Sequence, residues 1–308
     1  MSSLLNIETL FDLAENQFNY KDDLIIIAGP TCVGKSMLAI KLAKQINGVL
    51  VNADSVQVYE DLKLLSARPT TEDMHLVPHF LYGYVKSHIN YSIAEWLQEL
   101  IKVLDELKTN KKTAILVGGS GLYLNAVING LAPIPKLTEE TKIKSLLKLN
   151  EVGLHNFKKI NIKIDTQFVA KNHDKHRLLR LYGVFLQTKK NISYWHKKPR
   201  EGSVKKNIYS FLINLDRKLI YKRCEVRFDY MLENGAIDEV KKLHNLNIDR
   251  SLPIAKSLGV KWLLSYLDKK IPFEDAVNLS KRDTRRYVKR QITWFSHNFV
   301  PYKNIFMK

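Results

Sequence analysis

Gly29-Pro30-Thr31-Cys32-Val33-Gly34-Lys35-Ser36 decides the fold of this chain. The run fits G-x-x-x-x-G-K-[ST], and its flanks fit the setting that pattern requires. Leu24-Ile25-Ile26-Ile27-Ala28 predicts a buried strand, and Met37 to Ile46 has the apolar spacing of an amphipathic helix. A glycine-bent turn between the two aims backbone N–H groups and a helix N-terminus at a phosphate. Gly29, Thr31, Cys32, Val33 and Gly34 then form the cradle. Lys35 grips a terminal phosphate, and the Ser36 hydroxyl helps hold Mg²⁺. The run predicts a phosphate site, and what that phosphate belongs to must come from the rest of the chain.

Outward from the loop, strands and helices alternate. Val49-Leu50-Val51-Asn52 is a short apolar strand ending at Asp54-Ser55, and a helical stretch from about Ser92 to Leu107 precedes the strand Thr113–Val117. That strand runs into Gly118-Gly119-Ser120-Gly121 and a further helix from Leu122. The alternation predicts an α/β fold, a P-loop NTPase-like parallel sheet flanked by helices, with ligands at the carboxyl ends of its strands. Gly29–Ser36, Asp54–Gln57 and Gly118–Gly121 all fall at such ends and should face one cleft. Pro133-Ile134-Pro135 breaks the pattern, and from about 136 to 200 the sequence reads as short helices without a strand. The expected organisation is an N-terminal extension at 1–22, a catalytic core at 23–134 and 201–308, and an inserted all-helical domain at 135–200. A strand returns at Ile208–Asn214, after which helices are expected to the end.

The 308 residues, 45% of them hydrophobic, suffice for a large α/β domain and a smaller one. No apolar run is long enough to span a bilayer, so no membrane association is expected. The first 23 residues hold Glu8, Asp12, Glu15, Asp22 and Asp23 and no arginine, which argues against a secretory signal or transit peptide. Cys32 and Cys224 are the two cysteines; their sequence separation suggests neither a pairing nor a metal knuckle, and a reducing cytoplasm is expected. With no large apolar stripe left over, the chain is expected to be a monomer. Charge is the second large clue. Forty-nine Lys and Arg against 31 Asp and Glu give +18, an excess that suits a polyanionic partner. Residues 171–200 hold nine Lys and Arg and a single acid, Asp174.

Asp54 enters the cleft from a strand end, where a carboxylate can act as general base, as a Mg²⁺ ligand through water, or as a turn cap. Gly118–Gly121 offers a small hydroxyl, Ser120, at a second strand end; a tight turn needing glycine for close packing explains it equally well. Arg217, Arg223 and Arg227 lie on a helix predicted at 216–234, and one of them reaching the cleft would neutralise a leaving diphosphate, Arg223 being favoured. Lys281, Arg282, Arg285, Arg286, Lys289 and Arg290 recur at helical spacing with Asp283 alone intervening. Val277, Tyr287, Val288, Trp294 and Phe295 fall on the other side. Such a helix packs its apolar side on the body and shows a cationic stripe to nucleic-acid phosphates.

Taken together these residues resemble the tRNA dimethylallyltransferase (tRNA isopentenyltransferase) family over about residues 24–298. Gly29–Ser36 is similar to its phosphate loop, which begins G-P-T. Asn52–Tyr59 is similar to A-D-S-x-Q-x-Y, and Val77-Pro78-His79 to V-P-H. Gly118–Tyr123 resembles G-G-T-G-L-Y, His173–Arg180 the N-D-x-x-R-x-x-R of the inserted domain, and Lys289–Phe295 the terminal K-R-Q-x-T-W-F. The resemblance implies transfer of a dimethylallyl group from dimethylallyl diphosphate to the exocyclic amine of an adenine. That adenine lies just 3′ of the anticodon in tRNAs reading codons that begin with U. The loop then holds a diphosphate that leaves, not a nucleotide whose γ-phosphate moves. Asp54 takes a proton from the amine, Ser120 fills the role of the family threonine, and Lys35, Arg223 and Mg²⁺ stabilise the departing diphosphate. The adenine leaves the anticodon stack to react. Asp54, Ser55, Val56, Gln57, Ser120, His176, Arg177, Arg180, Lys256 and Lys261 then hold the anticodon arm, and Arg285, Arg286, Lys289 and Arg290 grip phosphates.

Four positions depart from the pattern. The family threonine is Ser120; G-T-A-K-P reads Leu65-Ser66-Ala67-Arg68-Pro69; V-P-H-H-L-x-D reads Val77–Gly83 without its aspartate; and I-G-Y-K-E reads Leu258-Gly259-Val260-Lys261-Trp262. None of them touches Lys35 or Asp54. The phosphate loop most often binds ATP, which makes a small-molecule kinase or an RNA-binding NTPase switch the rival readings. The basic insert and cationic terminal helix fit a small acceptor poorly.

Overall fold

The computed structural model describes residues 19, 21–171 and 174–307. The expected N-terminal extension lies almost wholly outside the described residues, as does His173 of the insert motif. By contact the chain divides into two compact units, Met1–Ile128 with Val204–Lys308, and Asn129–Ser203.

The larger unit is built on a six-stranded parallel sheet. In chain order the strands are β1 (Asp23–Ala28), β2 (Gly48–Asn52), β3 (His79–Phe80), β4 (Thr113–Gly118), β5 (Asn207–Asn214) and β6 (Lys303–Phe306), and their spatial order is β3-β2-β4-β1-β5-β6. Every residue of β1, β2 and β4 is buried. Their near-continuous apolar runs are what a strand covered on both faces requires. The helices of this unit are α1 (Lys35–Gln45), α2 (Thr71–Leu76), α3 (Ile93–Thr109) and α4 (Gly121–Asn129) before the insert. After it come α9 (Arg217–Glu233), α10 (Ala236–Asn245), α11 (Val260–Leu267) and α12 (Phe273–Asn298), with a 3₁₀ turn at Ile254–Lys256. Ser92 and Glu95 cap α3 reciprocally, and Asp216 caps α9 through Lys218 N–H and Leu219 N–H.

The chain does not end in helix, as its sequence suggests. After α12 it forms β6, which pairs in parallel with β5 from Phe211 with Lys303 to Asn214 with Phe306. Four residues are too short for any periodicity to show, and their strand exists because β5 offers a free edge. The two-residue β3 escapes a sequence reading for the same reason.

The smaller unit is helical: α5 (Glu139–Ile164), α6 (Thr166–Lys171), α7 (Lys175–Thr188) and α8 (Ile192–His196). Phe157, Val169, Leu178, Leu181, Val184 and Ile192 are part of its own apolar core. α5 is two helical segments that meet at a kink at Gly153, where φ is 72°. The unit's ends lie outside the expected 135 and 200 because Leu131 and Glu201 exchange backbone hydrogen bonds of 2.8 and 2.9 Å. That bridge ties both entering segments to the insert.

At the end of β4, a Cβ on Gly118 would stand 2.2 Å from the carbonyl oxygen of Ala53, the residue before Asp54. Only glycine lets the two strand ends approach this closely. Gly118→Ala is expected to cost about 2 kcal/mol or more in urea unfolding, as overpacking does; an unchanged midpoint would contradict the packing described.

Candidate active site

Spatial order explains how residues far apart in sequence meet. β2, β4, β1 and β5 are consecutive neighbours, so the loops at their carboxyl ends open side by side. A cavity of about 580 Å³ lies there. Its walls include Thr31, Cys32, Gly34, Lys35 and Ser36 after β1, Asp54 to Gln57 after β2, and Gly118 and Gly119 ending β4. Arg223 and Arg227 reach it from α9, and Lys256, Tyr287, Arg290 and Gln291 complete it.

The phosphate loop is held by partners the sequence alone does not reveal. Thr31 N–H donates to Gln291 Oε1 at 3.0 Å, while Gln291 Nε2 donates to Gly119 O at 2.9 Å. One buried amide on α12 thus fixes the loops after β1 and β4 together. Arg227 Nη2 donates to Thr31 Oγ1 at 2.9 Å. Lys35 Nζ donates to Pro30 O at 2.6 Å. Desolvation pulls the Lys35 ammonium from its usual 10.5 down to about 8; Asp54 opposes that shift and Arg227 adds to it. Two cations therefore crowd a poorly solvated pocket, an arrangement that an anion relieves.

Asp54 is positioned by Asn52, a fully buried polar residue. Asn52 Oδ1 accepts Asp54 N–H at 2.8 Å, and Asn52 Nδ2 donates to Asp54 O at 2.9 Å and to Leu81 O at 3.0 Å. Trp96 Nε1 in turn donates to Asn52 O at 3.1 Å. Asp54 Oδ1 accepts Val56 N–H at 2.9 Å, which turns the carboxylate toward its own loop. Tyr82 and Tyr287 both feel Asp54; burial first, and then that carboxylate, push their phenols up, so both stay neutral. The sequence reading set Tyr287 on the packed side of its helix. In the structure it lines the cavity.

Not every expected residue reaches the cavity wall. Ser120 is buried behind it, its Oγ accepting Ser55 N–H at 3.3 Å. The close-packing reading of the glycines is what the backbone displays at Gly118 and Gly119, where a Cβ on the latter would fall 2.4 Å from Gln291 Nε2. Of the three arginines on α9, Arg217 lies by the Tyr221 ring and outside the cavity, while Arg227 joins the favoured Arg223. Gln57 lines the cavity with its Nε2 committed to Ser66 O and Ala67 O at 3.0 and 3.1 Å. Lys256 lines it too; Lys261 lies 4.1 Å from the Trp262 ring centre, away from it. In the helical unit, His176, Arg177 and Arg180 are exposed on α7, whose first turn is capped by Asp174 Oδ1.

The stripe on α12 is less uniformly cationic than its sequence implies. Lys281 pairs with Asp229, Arg285 with Glu225, and Arg282 and Arg286 with Asp283. Two of those acids come from α9, so counting charges along α12 alone overlooks them. Among the described residues no carboxylate pairs with Lys289 or Arg290, and both are exposed. Two of the departures explain each other: Arg68 Nη1 donates to Tyr59 O and Glu60 O, and a Cβ at Gly83 would lie 1.7 Å from that nitrogen. The guanidinium needs the space that the missing aspartate vacates.

As expected, the two cysteines are free; Cys224 of α9 is buried in the apolar cluster against which Cys32 of the loop packs. Cys224 first, then Arg227 and Lys35, pull the Cys32 thiol from 9.0 down to about 6 against burial, while Cys32 and burial push Cys224 up.

Among the described residues no cluster of three or more His, Cys, Asp or Glu side chains could hold a metal, and no helix is long and apolar enough to cross a membrane.

Residues 57–298 match the IPP transferase family. Curated relatives include the tRNA dimethylallyltransferase of Bartonella henselae, 38% identical over 90% of this chain and 96% of the relative. That of Ehrlichia canis is 35% identical over 90% and 93%. Among solved structures, the full-length tRNA isopentenylpyrophosphate transferase of Bacillus halodurans superposes with a TM-score of 0.67 at 29% identity, covering 93% of this chain and 91% of that one. A eukaryotic dimethylallyltransferase acting on tRNA gives 0.76 at 27% identity, covering 89% and 70%.

Lys35 gives a pH signature. A lysine whose pKa is about 8 in the folded protein and near 10.5 unfolded costs stability wherever it is charged in both states. That cost is full below pH 8 and is relieved as pH rises from about 8 to 10.5. Lys35→Met is therefore expected to raise the melting temperature at pH 7 and to do so less at pH 10. A uniform or inverted effect would contradict the desolvated cation.

Proposed function

Since the chain belongs to the IPP transferase family, we infer that it is a tRNA-modifying prenyltransferase. It moves a dimethylallyl group from dimethylallyl diphosphate to the exocyclic amine of an adenosine in tRNA and releases diphosphate. The adenosine is the one 3′ of the anticodon in tRNAs reading codons that begin with U. The observation that carries this reading is the division of charge among the residues lining one cavity: the cations Lys35, Arg223 and Arg227 together with the carboxylate of Asp54.

That division suits an alkyl transfer. The amine nitrogen attacks the primary carbon of the donor, the carbon–oxygen bond breaks, and the electron pair leaves with the diphosphate. Asp54, oriented through Asn52 and Val56 N–H, accepts the amine proton. Lys35, Arg223 and Arg227 stabilise the charge that gathers on the leaving oxygen. Ser120 acts as a positioning residue, holding the Asp54 loop through Ser55 N–H. The Ser36 hydroxyl and Asp54 carboxylate line the same cavity, and hard oxygen donors of this kind suit Mg²⁺ completed by phosphate oxygens and water. When bound, Mg²⁺ supplies further neutralisation of the diphosphate.

On the tRNA side, Ser55, Val56, Gln57 and Lys256 are at hand for the extruded adenine and its neighbours. In the core, Lys261, Arg285, Arg286, Lys289 and Arg290 are tRNA contacts; in the helical insert, His176, Arg177 and Arg180 are. The working form is a cytoplasmic monomer with a P-loop core and a tRNA-contacting helical insert at Asn129–Ser203.

The direct test incubates the protein with Mg²⁺, unmodified tRNA bearing the target adenine, and labelled dimethylallyl diphosphate. Label is expected in the RNA, and ATP consumption without labelled RNA would overturn the reading. Asp54→Asn is expected to lower kcat by about 10²-fold or more, the usual share of a general base, while tRNA binding persists. Joint replacement of Lys289 and Arg290 by Gln should weaken tRNA binding and flatten its log–log salt dependence by roughly two, about one for each phosphate no longer neutralised. An unchanged slope would remove them from the interface.

A further inference from the structure

Glu239 of α10 does not line the cavity, yet its carboxylate holds part of the cavity wall. Its Oε1 accepts Lys63 N–H at 2.6 Å and Leu64 N–H at 2.7 Å, and its Oε2 accepts Leu65 N–H at 2.9 Å. Three successive backbone N–H groups around one carboxylate form an anion nest, closed by charge-assisted hydrogen bonds. The turn held in this way continues through Leu65, Ser66 and Ala67, all of which line the cavity. Ala67 N–H donates to Leu64 O at 2.9 Å, and Ala67 itself lies in the left-handed region with φ of 53°. A residue with a side chain stays there only where its surroundings over-determine it.

What the turn fixes is Gln57. Its Nε2 donates to Ser66 O at 3.0 Å and to Ala67 O at 3.1 Å, so the orientation of the amide is set. Both of its N–H donors are then spoken for, and the amide has an acceptor, Oε1, to offer a substrate. Such an acceptor recognises an N–H or O–H of a nucleotide and repels a phosphate oxygen. Leu65 bears on a second segment, since a Cβ on Gly259 would lie 3.1 Å from Leu65 Cδ2. Lys256, Ser257 and Leu258, just before that glycine, line the same cavity.

We propose that Glu239 is a positioning residue for tRNA, an inference that rests on the tRNA reading above. Its carboxylate sets the turn at 63–67, and the turn presents the Gln57 Oε1 acceptor to the extruded nucleotide. Without the carboxylate, three backbone N–H groups lose their shared acceptor, the turn relaxes, and the Gln57 amide loses its fixed orientation. The cations that take the diphosphate, Lys35, Arg223 and Arg227, belong to other segments and keep their places.

The experiment measures tRNA retention on filters, with no prenyl donor present, for the full-length protein and for Glu239→Gln, Gln57→Ala and the double variant. Titration with inorganic diphosphate is the second readout. Gln keeps the shape of Glu and turns one oxygen into an NH₂ that faces a backbone N–H. Glu239→Gln is expected to weaken tRNA binding about tenfold, the scale of a lost hydrogen bond to a charged group, with diphosphate affinity within about twofold of wild type. In the Gln57→Ala background the same substitution should cost less than about twofold, because the residue it acts through is gone. Effects that multiply in the double variant, or a parallel fall in diphosphate affinity, would mark a merely structural role and overturn the proposal. So would unchanged tRNA binding in Glu239→Gln. Retention needs no prenyl transfer, so the result stands even if that reaction is misassigned, whereas a wild-type chain that binds no tRNA would overturn both. Should Glu239→Gln fold poorly, hydrogen exchange in the wild-type protein decides. Bound tRNA is expected to slow exchange at residues 63–67, and unchanged exchange there would overturn the proposal.

Discussion

A desolvated ammonium beside a guanidinium is the constraint around which this molecule is organised. Burial lowers the Lys35 ammonium, and Arg227 stands close enough to disfavour its charge further. Such a pocket is costly to keep empty, and a multiply charged anion offsets that cost directly. Asp54 is the acid that offsets part of it, and it lines the same cavity, where a base is needed. Electrostatics and chemistry therefore make the same demand: an anion for the cations and a proton acceptor beside it.

Sheet order delivers this arrangement. Because β1 sits between β4 and β5, and β2 beside β4, four strand ends converge on one opening. Gln291 then locks two of those loops from a helix some 260 residues downstream of Thr31. The terminal K-R-Q-x-T-W-F run thus has a structural duty apart from its charges. Its amide holds the loops, while Lys289 and Arg290 face solvent.

Much of this was legible in the sequence, and the failures share a cause. The buried runs at 24–28 and 113–117, the loop between Gly29 and Ser36, and Asp54 at a strand end declare themselves through local pattern. Arg227, Tyr287, Asn52 and Gln291 do not, because their roles depend on neighbours that only the tertiary fold supplies. Arg227 is three residues beyond Cys224 on α9, one turn along, yet sequence spacing does not tell which arginine meets Thr31. The α12 cations look like one uninterrupted stripe until Asp229 and Glu225 arrive from α9. The strand at Lys303–Phe306 is invisible to periodicity because its cause is the free edge of β5.

The account's central claim is that the phosphate loop holds a leaving group. The most direct measurement counts inorganic diphosphate released against prenylated adenosine formed, with tRNA, dimethylallyl diphosphate and Mg²⁺ present and no nucleoside triphosphate. The account predicts equal amounts of the two products throughout the time course. A requirement for ATP, with orthophosphate or ADP appearing in place of diphosphate, would contradict it.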